Sequence, residues 1–330
     1  MSAGITDRAE LRVPCLRTFD RLHGNSDAID PRTRAGTADR TNLIGLALAA
    51  VGAVAFGTVA IIAKLALQRG ADPVPLLAYR FGIAAVLLLV FHAVTHRSLG
   101  ERRDALRLML LGGMGYAFES TLFFVALQRT SAAVVGLVFY SYPLWTTLLA
   151  LAVGLERYRH RIGLALVTGT AGVSVIFSLR TSAIAGPLLA LAAAIAVALY
   201  LIAVQKASDG MDAFNVALWT AAGAAITLSA IAAATRSSLP GVSLPFASAL
   251  GPITAIAFVA LYGSIKRIGS SRSSIAMMLE PVTTVLLAAL FLSEALTWRI
   301  ALGACLVVAA LPLLALAPAR PLTEERIDLL

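Results

Sequence analysis

The sequence predicts an all-α integral membrane protein: ten transmembrane helices arranged as two inverted five-helix repeats. Three observations predict it: an apolar excess, a run of spanning-length apolar stretches, and a self-similarity at fixed offset. Apolar residues make up 59% of the 330 positions and charged residues 14%, against about 45–50% and about 25% in soluble domains. The mean hydropathy of +0.85 points the same way. Such a chain has too little polar surface to cover a water-facing globule, so the lipid bilayer is its first partner.

From Asn42 onward, apolar stretches recur near the ~20 residues that a bilayer core requires. The expected spans are 42–65, 74–95, 105–128, 131–154, 162–179, 184–204, 213–234, 246–266, 271–292 and 298–317. Run length argues for helices, since a membrane strand needs only ~10 alternating residues. A helix also satisfies its backbone polar groups within the segment. Spans 3–4 and 8–9 are separated only by Arg129-Thr130 and by Arg267 to Ser270, which implies tight hairpins.

Residues 1–41 carry seven arginines and six acidic residues and have no apolar run before Leu43. They read as a polar, disordered cytoplasmic tail rather than a signal peptide. The remaining boundaries are 42–179 for the first five-helix repeat, 180–319 for the second, and 320–330 for a cytoplasmic C-terminal tail. With the N-terminus inside, and the tail left out, 13 Lys and Arg fall on the cytoplasmic side against 7 on the other. That asymmetry places both termini in the cytoplasm of a multi-pass cell-membrane protein.

The net charge of +9 does not point to nucleic acid, because the basic residues sit between apolar runs and no basic patch is interleaved with stacking aromatics. Cys15 and Cys305 lie in a polar tail and in the last apolar run, so no disulfide is expected. The histidines His23, His92, His96 and His160 lack metal-ligand spacing, and no cofactor is expected.

The third observation is internal. Residues 129–164 align without gaps on 267–302, an offset of 138. The shared Arg129/Arg267, Pro143/Pro281, Glu156/Glu294 and Arg161/Arg299 are more telling than shared Leu or Ala. A repeat with an odd number of crossings must run upside down in its second copy, a design common among transporters.

These residues carry a resemblance. The pattern from Ala126-Leu127 through Ser141-Tyr142-Pro143 to Leu155-Glu156 is similar to the ten-helix, two-repeat EamA branch of the drug/metabolite transporter superfamily. So is the pattern from Gly269-Ser270-Ser271-Arg272 through Leu279-Glu280-Pro281 to Leu292-Ser293-Glu294, and Tyr79-Arg80 also fits. The resemblance covers roughly 42–317 and departs at Arg272, where the first copy has Val134. It implies a secondary carrier, not an enzyme, for a small metabolite, amino acid or drug-like solute. That carrier would work as an exporter, coupled to protons or by exchange, as monomer or homodimer.

Pro143 and Pro281 fall near the middles of spans 4 and 9, where each removes a backbone donor. Such a defect is tolerated only against protein or a wet cavity, so the pair is expected to break or hinge helices at a central site. Glu119 and Glu280 are the acidic residues deepest in apolar runs. A charge at mid-bilayer costs ~2.5–3.5 kcal/mol even on the lenient scale, so neither faces lipid. Substrate-cation binding or protonation during the cycle is the functional reading; pairing with Lys64 or Arg80 is the structural one. Arg80 could hold an anionic group or snorkel to the interface. Tyr140, Tyr142 and Trp145 surround Pro143 and could line a pocket for an amphipathic solute. Glu156 and Glu294, where apolar runs end, read as interfacial anchors or helix-end partners. Gly112, Gly113 and Gly115, like Gly169 and Gly172, are expected to allow close helix approach.

The rival readings are a sugar-phosphate or nucleotide-sugar exchanger, which needs a basic pocket that only Lys64 and Arg80 could supply, and a membrane-embedded transferase. The transferase lacks paired aspartates, HExxH, a Walker loop and a GxSxG elbow.

Overall fold

A computed structural model describes residues 31–129, 132–176, 184–238, 244–292 and 298–315. The chain divides into a short N-terminal unit, residues 1–37, and a body from Ala38 to Leu330. The helices are α1 (Pro31–Gln68), α2 (Pro73–Thr95), α3 (Arg102–Leu110), a π-helical turn (Leu111–Tyr116) and α4 (Ala117–Arg129). They continue with α5 (Ala132–Phe139), α6 (Tyr142–Ala152), α7 (His160–Ile176) and α8 (Ala185–Ala207). The last four are α9 (Ala213–Ala234), α10 (Leu244–Ala276), α11 (Leu279–Leu292) and α12 (Trp298–Ala315). Residues 31–41, expected as tail, are continuous with α1. Residues 1–30, the segment 320–330 and Glu294 lie outside the described residues.

Among the described residues six helical stretches are long and apolar enough to cross a membrane: Arg40–Gln68, Pro73–Thr95, Arg102–Arg129, Ala185–Ala207, Ala213–Ala234 and Leu244–Ala276. This is the fold of a multi-pass membrane protein. Six such stretches are fewer than the expected ten, and the difference has a local cause. Span 4 is broken into α5 and α6 at Tyr140-Ser141, and span 9 is broken at Met277-Met278. Each proline sits in the first turn of the resumed helix, where a missing N–H costs nothing. The remaining two expected spans appear as α7 and α12, of 17 and 18 residues.

The ends of the body follow from contacts between turns. Arg97 pairs with Asp212, Asn215 Nδ2 donates to the Ser98 carbonyl, Trp219 Nε1 to that of Leu99, and Lys266 Nζ to that of Met211. These gather the turns 96–101, 208–212 and 266–270 at one end. Arg69 lies over the Phe246 ring, 4.7 Å from its centre, which puts the α1–α2 turn and the start of α10 at the other.

Packing respects an exchange of the two halves. The second helices of each half, α2 and α9, lie against each other, as do the last, α7 and α12. The contact of α4 with α8 is mirrored by α1 against α10, where Gly45 and Gly52 face Ile268 and Leu261. The contact of α6 with α8 is mirrored by α1 against α11, where Gly57 meets Glu280 and Thr283.

Small residues make these crossings close, as lipid-embedded helices require. A Cβ at Gly112 would strike the backbone of Thr220, and one at Gly223 the backbone of Met109, so the π-helical turn and α9 touch main chain to main chain. Gly172 meets the Gly303 carbonyl in the same manner. The replacement Gly223→Val is therefore expected to destabilise the fold by roughly 1–3 kcal/mol. Gly82→Ala, on an α2 face with open space around it, should be near neutral. The thermal midpoints of the two purified variants, followed by fluorescence-detected gel filtration, check this.

Candidate functional site

The two broken helices meet at a central cavity of about 730 Å³, within the range of drug-sized sites. Its walls come from α1, α2, the π-helical turn with α4, α5, α6, α8, α10 and α11. Both halves contribute at matched positions. Gly136, Phe139 and Tyr142 line it from the first half, and their counterparts at the offset of 138, Ser274, Met277 and Glu280, line it from the second. Thr146 Oγ1 donates to the Tyr142 carbonyl at 2.9 Å and Thr284 Oγ1 to that of Glu280 at 3.0 Å, so the resumed helices start alike.

Arg80 is buried in the wall and 4% exposed. Asp72 caps the start of α2 by accepting from the Val74 N–H, with Pro73 in the first turn; Arg80 then falls two turns in, facing the body. Its Nε donates to Thr254 Oγ1 at 2.7 Å, and the guanidinium lies beside the Tyr116 hydroxyl. This corrects the snorkelling reading: the guanidinium points into protein. It holds neither carboxylate directly, yet it is near enough to both Glu119 and Glu280 to act on them through space.

Glu119 is buried on α4 and accepts from Ser120 Oγ at 3.1 Å. Glu280, at the start of α11, is partly exposed into the cavity and bonded by the Tyr140 hydroxyl, which also meets Thr284. The π-helical turn explains how Tyr116 and Glu119 reach the same wall. The Ala117 N–H bonds back to the Gly112 carbonyl, five residues earlier, and the extra residue rotates α4 relative to α3. Tyr116 is then packed edge-on against Phe81, Tyr200 and Phe258 at 5.7, 5.2 and 4.8 Å between ring centres.

Of the residues singled out from sequence, Arg80, Glu119, Glu280, Tyr140 and Tyr142 line the cavity, and Trp145 does not. Trp145 Nε1 donates instead to Ser141 Oγ at 3.2 Å, which ties down the break between α5 and α6. Pro143 and Pro281 shape the breaks without lining the space. Sequence reasoning passed over Ser120 and Ser274. The offset of 138 carried a signal for Ser274, as the counterpart of Gly136. Among the described residues no group of three or more His, Cys, Asp or Glu is placed to hold a metal ion.

The chain is matched twice by the family model of the EamA-like transporter family, over residues 43–178 and 184–316. It is 28% identical over 269 residues to the uncharacterized transporter YcbK of Bacillus subtilis (strain 168), covering 74% of this chain and 84% of that one. To the uncharacterized transporter YyaM of the same organism it is 26% identical over 231 residues, 64% of this chain and 74% of that one. A crystal structure superposes with a TM-score of 0.70 at 22% identity, covering 84% of this chain and 98% of its own, which speaks to the fold. Both halves of the body thus carry the same domain, and the chain belongs to the EamA-like transporter family, a family of transporters rather than enzymes.

Proposed function

We propose that this protein is a secondary transporter that moves a small organic solute by alternating access, with the central cavity as its binding site. The observation that carries the reading is the cavity itself, walled at matched positions by the two interrupted helices. In this reading the body crosses the bilayer ten times. The crossings are α1, α2, α3 with α4, α5 with α6, α7, α8, α9, the first part of α10, its remainder with α11, and α12. The second five are inverted relative to the first. The exchange symmetry of the packing supports this, and inverted halves let a site at their interface open to either face.

The end gathering Arg97, Arg102, Arg103, Lys206, Lys266 and Arg267 is the basic one, which supports a cytoplasmic placement for it and for both termini. The cavity reaches Lys64 and Gln68 near the end of α1, and Leu127 and Gln128 near the end of α4. Those residues lie toward the opposite end, so the site faces outward, as an exporter does on release.

The lining favours an amphipathic solute with a basic nitrogen, of amino-acid, metabolite or drug size. Phe56, Phe123, Phe124 and Phe139 offer apolar and cation–π surface, and Glu119 and Glu280 supply negative charge. A sugar phosphate would meet both carboxylates, which Arg80 and, nearer the mouth, Lys64 only balance rather than exceed, and this disfavours the exchanger reading. A proton taken up by Glu280 or Glu119 as the solute leaves would couple the cycle to the proton gradient.

Flux of radiolabelled amines, amino acids and sugar phosphates into proteoliposomes, with and without an imposed pH gradient, tests this. Amine-bearing solutes should move, faster with the gradient. Glu280→Gln should abolish the pH dependence and lower flux at least about tenfold, matching the loss of a charged hydrogen-bond partner (~1.5–3 kcal/mol). Glu119→Gln should have a smaller effect in the same direction. Unchanged flux at every pH in both variants would end the coupling idea. Tyr140→Phe, which removes the donor to Glu280, should raise the half-saturation concentration several-fold, about 1 kcal/mol of binding, with little change in maximal rate.

A further inference from the structure

Beneath the cavity lies a polar layer of which only Ser274 reaches the binding site. Past Gly269 the chain reads Ser270-Ser271-Arg272-Ser273-Ser274, and all five residues are between 0 and 3% exposed. The corresponding stretch of the first half, offset by 138, is Ala132-Ala133-Val134-Val135-Gly136. A membrane protein does not bury five consecutive polar residues for packing alone, because each must find a partner.

The partners come from α8, α6 and the turn after it, and the preceding part of α10. The Ser270 N–H donates to Gln205 Oε1 of α8 at 2.6 Å. Ser271 Oγ meets Thr147 Oγ1 of α6 at 3.1 Å, and Ser273 Oγ meets Ser264 Oγ, earlier in α10, at 2.7 Å. Arg272 Nε lies 3.5 Å from Glu156 Oε2, in the turn after α6, with side chains 4 and 14% exposed. Ser270 Oγ is buried without a hydrogen-bond partner. Gly269, at φ +79° and ψ 166°, turns the chain sharply and sets this segment at an angle to the helix before it.

We propose that this layer is the gate that closes the cavity toward the basic end of the body, with the Arg272–Glu156 pair as its latch. The proposal rests on the alternating-access reading. Ser274 lines the cavity floor while Ser270 abuts the turn at that end. The seal is therefore about one helical turn deep, or ~6 Å at 1.5 Å per residue.

Its chemistry suits a contact that must part. Opening an apolar seal exposes hydrocarbon to water. Opening this one trades protein hydrogen bonds for hydration, a near-even exchange. A buried ion pair is similarly balanced, its attraction offset by desolvation. The same broken helix carries Ser274, Met277 and Glu280 into the cavity, so a solute engaging Glu280 acts on the gate directly. The first half has Val134 in place of Arg272. The sequence therefore gives the other half no matching arginine, and the latch biases the carrier toward the state in which this end is closed.

The test reads accessibility rather than transport. In full-length protein carrying Cys15→Ser and Cys305→Ser, a Ser264→Cys reporter is exposed in membrane vesicles to a membrane-impermeant maleimide applied at the face bearing Glu156. Labelling should be slow, and Glu156→Ala should raise its rate about tenfold or more, as a shift toward the open state demands. The exchanged pair, Glu156→Arg with Arg272→Glu, should restore protection. Arg272→Met, which keeps the side chain's length, should act like Glu156→Ala and serves if that variant folds poorly. An unchanged rate in both single variants, or failure of the exchanged pair to restore protection, overturns the gate. A second reporter, Leu127→Cys at the other mouth of the cavity, should label more slowly from its own face when the latch is broken. If the gate opens and Leu127→Cys is unaffected, the gate stands and the alternating-access reading fails.

Discussion

Inside a bilayer a backbone amide or carbonyl has no water to turn to, and that constraint organises this molecule. It permits an interrupted helix only where the freed groups meet protein or a wet cavity. Spans 4 and 9 are both interrupted, at Tyr140-Ser141 and at Met277-Met278. Both interruptions must therefore lie at the centre, and the remaining helices are arranged around them. Pro143 and Pro281 set the register of each break, and Thr146 and Thr284 bond back across the resumed turns in the same manner. The cavity is the space that two such breaks leave when they face each other.

The second constraint is charge. Arg80, Glu119 and Glu280 would be costly against lipid, and the structure turns all three inward to one wall system. Arg80 donates to Thr254 and lies beside Tyr116. It makes no direct ion pair with either carboxylate, and each acid is held by a hydroxyl instead, Glu119 by Ser120 and Glu280 by Tyr140. Arg272 obeys the same rule by another route: it is buried against Glu156 among serines, below the site. Two arginines of one chain are thus buried in two different ways, decided by the neighbours that folding brings.

Close packing holds the helices rigidly against one another. The π-helical turn and α9 meet at Gly112 and Gly223, and α7 meets α12 at Gly172, with main chain against main chain. The π-helical turn also sets the rotation of α4 that brings Glu119 to the cavity. One local insertion therefore links a packing seam to the site.

Sequence by itself determined the class of the molecule. Apolar run length dictates membrane helices, the offset of 138 dictates two copies, and the cost of charge in lipid singles out Glu119 and Glu280. These are one-dimensional consequences of hydration and hydrogen bonding, legible wherever they fall along a chain. Tertiary structure decided what no spacing encodes. Tyr140 and Tyr142 reach the cavity while Trp145, on the next turn, bonds to Ser141. A proline announced in mid-span becomes the first turn of a new helix. Glu156, read as a helix-end partner, finds that partner 116 residues away in Arg272. Side-chain direction and long-range pairing depend on how helices rotate about their axes and which faces meet. The packing of glycines, the extra residue at 111–116 and the positive φ of Gly269 fix those rotations in three dimensions only.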